Sequence, residues 1–160
     1  MERINVGRVL LAGFVATLAM TMLIYVAPMM GMPKMDIAGM LGSMLNGGHP
    51  PEAMSGPWMM GMLAHLLNGI VIFPLIYAYG LSARLPGAAW TKGLIWGTVL
   101  WLVQQGMVLP MMGLGFFSSQ SPHAVMSVLG SLMGHLLYGA ILGAMIGTQD
   151  TARSAFATSK

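Results

Sequence analysis

The sequence predicts an all-α integral membrane protein, a four-helix bundle built from a tandem duplication of a two-helix hairpin. Three observations lead there. Hydrophobic residues make up 56% of the 160-residue chain and charged residues only 7%, at a mean hydropathy of +0.76, whereas a soluble domain carries roughly a quarter charged residues. Four apolar stretches, near 8–32, 57–80, 91–113 and 124–147, each reach the ~20 residues of helix that cross a bilayer core. Finally, two patterns recur. Val26-Ala27-Pro28-Met29-Met30-Gly31-Met32 is answered by Val108-Leu109-Pro110-Met111-Met112-Gly113-Leu114, and Gly61-x-x-x-His65-x-x-x-Gly69 by Ser131-x-x-x-His135-x-x-x-Gly139. The repeat divides one membrane domain into units of about 1–82 and 83–150.

The elements follow in order. Val9 to Ala27 exceeds the ~7–15 residues of a signal-peptide core and lacks a small-x-small cleavage site, so it reads as a spanning helix. The connection from Met32 to Gly56 carries apolar positions 37, 40, 41, 44 and 45, the spacing of a short helix lying on the membrane surface, ended by Asn46-Gly47-Gly48. Pro74 should bend the second span. The short link from Leu81 to Trp90, with its turn at Pro86-Gly87, predicts a tight antiparallel hairpin of spans two and three. Close-approach surfaces are expected at Gly93-x-x-x-Gly97 and Gly130-x-x-x-Gly134, and along Ser131, His135, Gly139, Gly143 and Gly147. In an up-down-up-down bundle spans two and four lie diagonally across the core, which sets His65 and His135 at similar depth, facing one another.

Arg3, Arg8, Arg84, Lys92, Arg153 and Lys160 fall on one side of this arrangement and only Lys34 on the other. The positive-inside rule then places both termini in the cytoplasm of a prokaryotic cell and the methionine- and histidine-rich connections outside its plasma (inner) membrane. Several function classes drop out. With no cysteine there is no disulfide, thiolate metal site or cysteine nucleophile. Neither a G-x-S-x-G motif nor a phosphate-binding loop is present. The pI near 9.6 reflects loop charges on a membrane protein and implies no nucleic acid.

An ionisable side chain inside a spanning helix is a functional hypothesis by default. His65 and His135, one on each of two facing helices, have the arrangement that ligates haem b axially, and Gly61, Gly69, Ser131 and Gly139 one turn away would leave room for a macrocycle. Alternatively, each imidazole bonds a nearby carbonyl or polar group and serves helix packing. His49 and His123, one per repeat beside prolines, could join them in a site for zinc or copper, or be solvated loop residues. Of the 19 methionines, ten fall between Met29 and Met62 and five between Met107 and Met133. Thioethers such as those of Met29, Met30, Met111 and Met112 suit Cu(I), but methionine is also a flexible apolar filler. Asn68, Gln104 and Gln105 are the other polar groups at membrane depth, expected to bond between helices.

The stretches Ala12-Gly13-Phe14-Val15-Ala16-Thr17, Asp36-Ile37-Ala38-Gly39-Met40-Leu41-Gly42, Ala64-His65 and His135-Leu136-Leu137-Tyr138-Gly139-Ala140-Ile141-Leu142-Gly143 resemble DUF6789, a family of small four-span prokaryotic membrane proteins of unknown function. The resemblance covers nearly the whole chain and implies the four-span fold and both histidine positions. It carries no activity, and this chain is richer in methionine than the family pattern.

The expected function is therefore that of a non-enzymatic integral membrane protein, an accessory subunit of a larger redox or respiratory assembly. Its partners would be the lipid bilayer and other membrane subunits or further copies of itself. The alternatives are a bis-histidine haem b electron carrier, outer-face copper handling, and a small oligomeric transporter or channel.

Overall fold

The first spanning helix reads inside out relative to a soluble protein. Ala12, Gly13, Ala16 and Thr17 are buried, while Leu11, Phe14, Leu18 and Met22 are exposed. That inversion is what lipid as solvent dictates: large apolar side chains face the acyl chains, and small residues let backbones approach one another. The computed structural model describes residues 5–157, with side-chain surroundings through residue 147. Arg3 and Lys160 lie outside the described residues, as does the side chain of Arg153.

Among the described residues, four helices are long and apolar enough to cross a membrane. We label these helices α1 (Val6–Met30), α3 (Gly56–Leu81), α4 (Ala89–Met111) and α5 (Ala124–Ala157); a short α2 (Ile37–Ser43) lies between the first two. No strand occurs among the described residues. Asn5 caps α1 and Asp36 caps α2, its Oδ1 accepting from the Gly39 amide at 2.9 Å.

The repeated Pro-Met-Met-Gly motif folds the same way twice. Gly31 (φ 84°) donates to the Pro28 carbonyl and Met32 to that of Ala27; Gly113 (φ 76°) donates to Pro110 and Leu114 to Leu109. Both are left-handed glycine caps that satisfy the last carbonyls of a helix.

Neighbouring helices run antiparallel, and small residues set their spacing. On α1, Gly13 lies against Ile70 and Pro74 of α3, and Thr17 against Gly69. Gly93 of α4 meets the backbone of Gly139 and Gly143, and Gly97 meets the carbonyl of His135. Gly134, on another face of α5, packs against Met20 and Ile24 of α1. The expected glycine faces therefore form the contacts, and at this separation Cα–H groups reach facing carbonyls.

Spans two and three depart from the expected tight hairpin. Trp96 of α4 sits between them, 6.4 Å from the ring of Phe73 edge-on and 6.4 Å from that of Tyr77 in a stack. Large rings thus hold α3 and α4 apart. Their link is still the predicted turn, with Gly87 left-handed at φ 93°. Arg84 donates to the Gly80 carbonyl and the Lys92 ammonium to that of Ser82 at 2.9 Å, so both cations also cap the end of α3.

Helix α2 forms where the spacing predicts it and rests on the bundle. Gly42 lies on the backbone of Pro57 and Trp58, and Gly61 on Ala38 and Gly42, so α2 is packed down onto the first turns of α3. The Trp58 indole N–H donates to Asp36 at 3.1 Å and pins its start.

The α4–α5 contact predicts a position-specific response to added methyl groups. Gly139→Ala, whose Cβ would meet the Gly93 carbonyl and Gly97, should lower stability by about 1–3 kcal/mol. Gly106→Ala, which meets nothing, should leave it within about 0.5 kcal/mol. Thermal unfolding in detergent measures both.

Candidate functional site

Two helical irregularities mark the site. Proline lacks an amide hydrogen, and before each mid-span proline the backbone widens so that residue i bonds to i−5. The Phe73 amide, before Pro74, donates to the Asn68 carbonyl; that of Leu109, before Pro110, donates to Gln104. Each widened turn begins at a polar residue, and the side chains of Asn68 and Gln104 both line one cavity.

This cavity has a volume of about 210 Å³. Both intramembrane histidines, His65 and His135, line it. Each stands roughly 15 Å along its helix from the end that carries α2. Met35, Ile37, Met40 and Leu41, from α2 and the chain leading into it, form the roof. Tyr138 closes the floor, its hydroxyl donating to the Gly69 carbonyl at 2.8 Å. Below it Tyr77, Trp96 and Leu142 fill the bundle.

Each imidazole is held on one side. His65 Nε2 lies 2.9 Å from the Thr21 hydroxyl. His135 Nδ1 lies 2.8 Å from the Ser131 carbonyl, one turn back on the same helix. A carbonyl only accepts, so Nδ1 carries the hydrogen and Nε2 keeps its lone pair. A backbone carbonyl fixing the tautomer in this way is also what orients metal-ligating histidines. Beside them, the Thr17 hydroxyl and the Gln104 amide oxygen are buried without a hydrogen-bond partner.

The small residues flanking the histidines are occupied by packing. Gly61 is filled by α2, Gly69 by Thr17, and Gly139 by Gly93 and Gly97. Ser131 sits in a buried network, accepting from Gln105 Nε2 at 2.7 Å and Trp101 Nε1 at 3.2 Å and donating to Val128. The Ser118 hydroxyl reaches Gln105 Oε1 at 3.4 Å and ties the last connection, with Phe117 and Ser118 at φ 51° and 55°, to α4. The room these small residues would have left for a macrocycle is thus taken by neighbouring helices and side chains. The cavity also falls below the ~300–1,000 Å³ of pockets that take drug-sized ligands. The residues present therefore do not fit haem b in this arrangement.

The loop residues raised as metal ligands lie elsewhere. His49 and His123 are exposed, as are Met29 (86%), Met30 (75%) and Met111 (71%). Of that set only Met112 reaches the cavity. Among the described residues no three His, Cys, Asp or Glu side chains cluster as a metal site.

Sequence reasoning missed Thr17, Thr21 and Tyr138. Their signal was spacing. Thr17 and Thr21 lie one turn apart on the buried face of α1, and Tyr138 lies three residues after His135.

The fold and the site together define a polytopic α-helical membrane protein with a mostly apolar pocket, lined also by two histidines, inside its bundle. The DUF6789 family, described as a family of unknown function, matches residues 3–156, and the chain belongs to it. No curated protein and no solved structure matches the chain.

Proposed function

We propose that this protein is a non-enzymatic integral membrane subunit that holds a small lipid-soluble molecule inside its bundle. The observation that carries this reading is the cavity inside the bundle lined by both intramembrane histidines, His65 and His135. A mostly apolar pocket with a few polar groups in its wall is the usual form of a small-molecule site.

Membership of a larger redox or respiratory assembly is compatible with this reading. The support specific to it is the exposed apolar flank of the bundle, which lipid covers equally well. A channel finds less support, because Tyr138, Tyr77 and Trp96 block the core below the cavity. Copper handling would now rest on Met20, Met35, Met40 and Met112 within the cavity rather than on the loop histidines.

For orientation we propose cytoplasmic termini in a prokaryotic inner membrane, with α2 outside. Arg8, Arg84 and Lys92 stand at the end opposite Lys34, as the positive-inside rule requires. The chain has no native cysteine. A cysteine at His123 should therefore react with an impermeant maleimide added to whole cells, and one at Arg84 should not; the reverse pattern sinks the orientation.

The ligand reading is tested by organic extraction of the purified protein and mass spectrometry. One small molecule should be enriched near stoichiometry, and lost from a Val108→Trp variant that fills the cavity without unfolding the bundle. Identical extracts from both proteins, or an extract of haem b, would count against it.

A further inference from the structure

We propose that the His135 side of the cavity binds one soft monovalent metal ion of the Cu(I) class, through His135 Nε2 and thioethers drawn from Met20, Met35, Met40 and Met112. This goes beyond the lipid-soluble ligand proposed above, and an ion needs only a small part of the cavity.

The donor set decides it. With Nδ1–H committed to the Ser131 carbonyl, His135 Nε2 offers a lone pair, and among the described residues nothing donates to it. Among those residues the buried side-chain atoms left without a partner are Thr17 Oγ1, Trp96 Nε1 and Gln104 Oε1. His135 Nε2 is not one of them, so it keeps accessible surface, and the cavity is the space its side chain lines. His65 Nε2 is already bonded to Thr21, which makes His135 the nitrogen ligand. Four thioethers line the same cavity: Met20 from α1, Met35 and Met40 from the roof, and Met112 just past α4. Two of them lie against α5 within about a turn of His135. A Cβ built on Gly134 would stand 3.4 Å from Met20 Cγ and 3.5 Å from its Cε, and one on Gly130 would stand 3.1 Å from Met35 Cε. Methionine has three rotatable bonds, so these side chains can turn their sulfurs onto an ion.

Charge and softness narrow the class. The cost of bringing an ion into an apolar interior grows with the square of its charge, and no acidic residue lines the cavity to offset it. A doubly charged ion such as Zn(II) or Mg(II) therefore lacks the carboxylate or thiolate ligands it needs. Cu(I) carries a single charge and prefers the soft thioether, with imidazole as a compatible partner. The carbonyl that fixes the His135 tautomer also orients the ring, as the outer partners of metal-bound histidines do.

The test is competition for Cu(I) between the full-length protein in detergent and the chelator bathocuproine disulfonate, without oxygen and with ascorbate present. The chain contains no thiol to take the metal instead. One Cu(I) per chain should be withheld from the chelator, and excess Zn(II) should not displace it. Met20→Leu and Met35→Leu conserve volume, so both variants should melt near the parent. Each should nevertheless weaken Cu(I) binding at least about tenfold, the loss that even outer-partner changes cause at metal sites. The double variant Met29→Leu, Met30→Leu, at exposed positions outside the cavity, should bind as the parent does. X-ray absorption at the copper edge should show sulfur together with nitrogen. Sulfur alone would overturn the His135 assignment. Loss of binding in the Met29, Met30 variant with the cavity variants unaffected would overturn the site, as would displacement by Zn(II) or no Cu(I) withheld. The organic extract would then still decide the lipid-soluble ligand by itself.

Discussion

A polar atom that leaves water for the interior of a bundle in lipid has to find its partner inside that bundle. Most of this molecule can be understood as ways of meeting that constraint. Left-handed glycines close the helix ends, Arg84 and Lys92 cap the last carbonyls of α3, and Ser131 gathers Gln105, Trp101 and the Val128 carbonyl into one network. The constraint is left unmet at the Thr17 hydroxyl, Gln104 Oε1 and Trp96 Nε1, which are buried without a partner. The functional reading starts from the cavity that His65 and His135 line.

The cavity exists because the four helices are not spaced equally. Glycine contacts draw α1 to α3 and α4 to α5, while Trp96 props α3 and α4 apart against Phe73 and Tyr77. A bundle with one wide seam and three tighter contacts has space inside, and the widened turns before Pro74 and Pro110 bring Asn68 and Gln104 to it. Helix α2 then covers the space, fixed by Gly42 and Gly61 at its contact with α3 and by Trp58 on Asp36. Trp96 Nε1 is itself buried without a partner, a cost carried at the residue that holds the seam open.

Much of this was legible in the residues. Hydropathy and length placed the four spans to within a few residues, and the small-residue spacing on α4 and α5 named the contacts that form. The motif around Pro28 and Pro110 recurs as the same cap, and both histidines line one cavity. What was not legible depended on partners far away in sequence. A glycine near a histidine looks like free volume until the helix that fills it is known, and at Gly61 that helix is α2. Likewise the short Leu81–Trp90 link fixed which helices are joined, but the size of Trp96 fixed how far apart they stand. Spacing placed Met29, Met30 and Met111 near the outer end, and only the folded chain shows them turned outward, away from either histidine.

The central claim is that the bundle holds a ligand in the cavity lined by His65 and His135, and a high-resolution structure in lipid nanodiscs tests it most directly. The account predicts compact non-protein density in that cavity. Met20, Met40, Met112 and Leu100 collapsed into that space would contradict it.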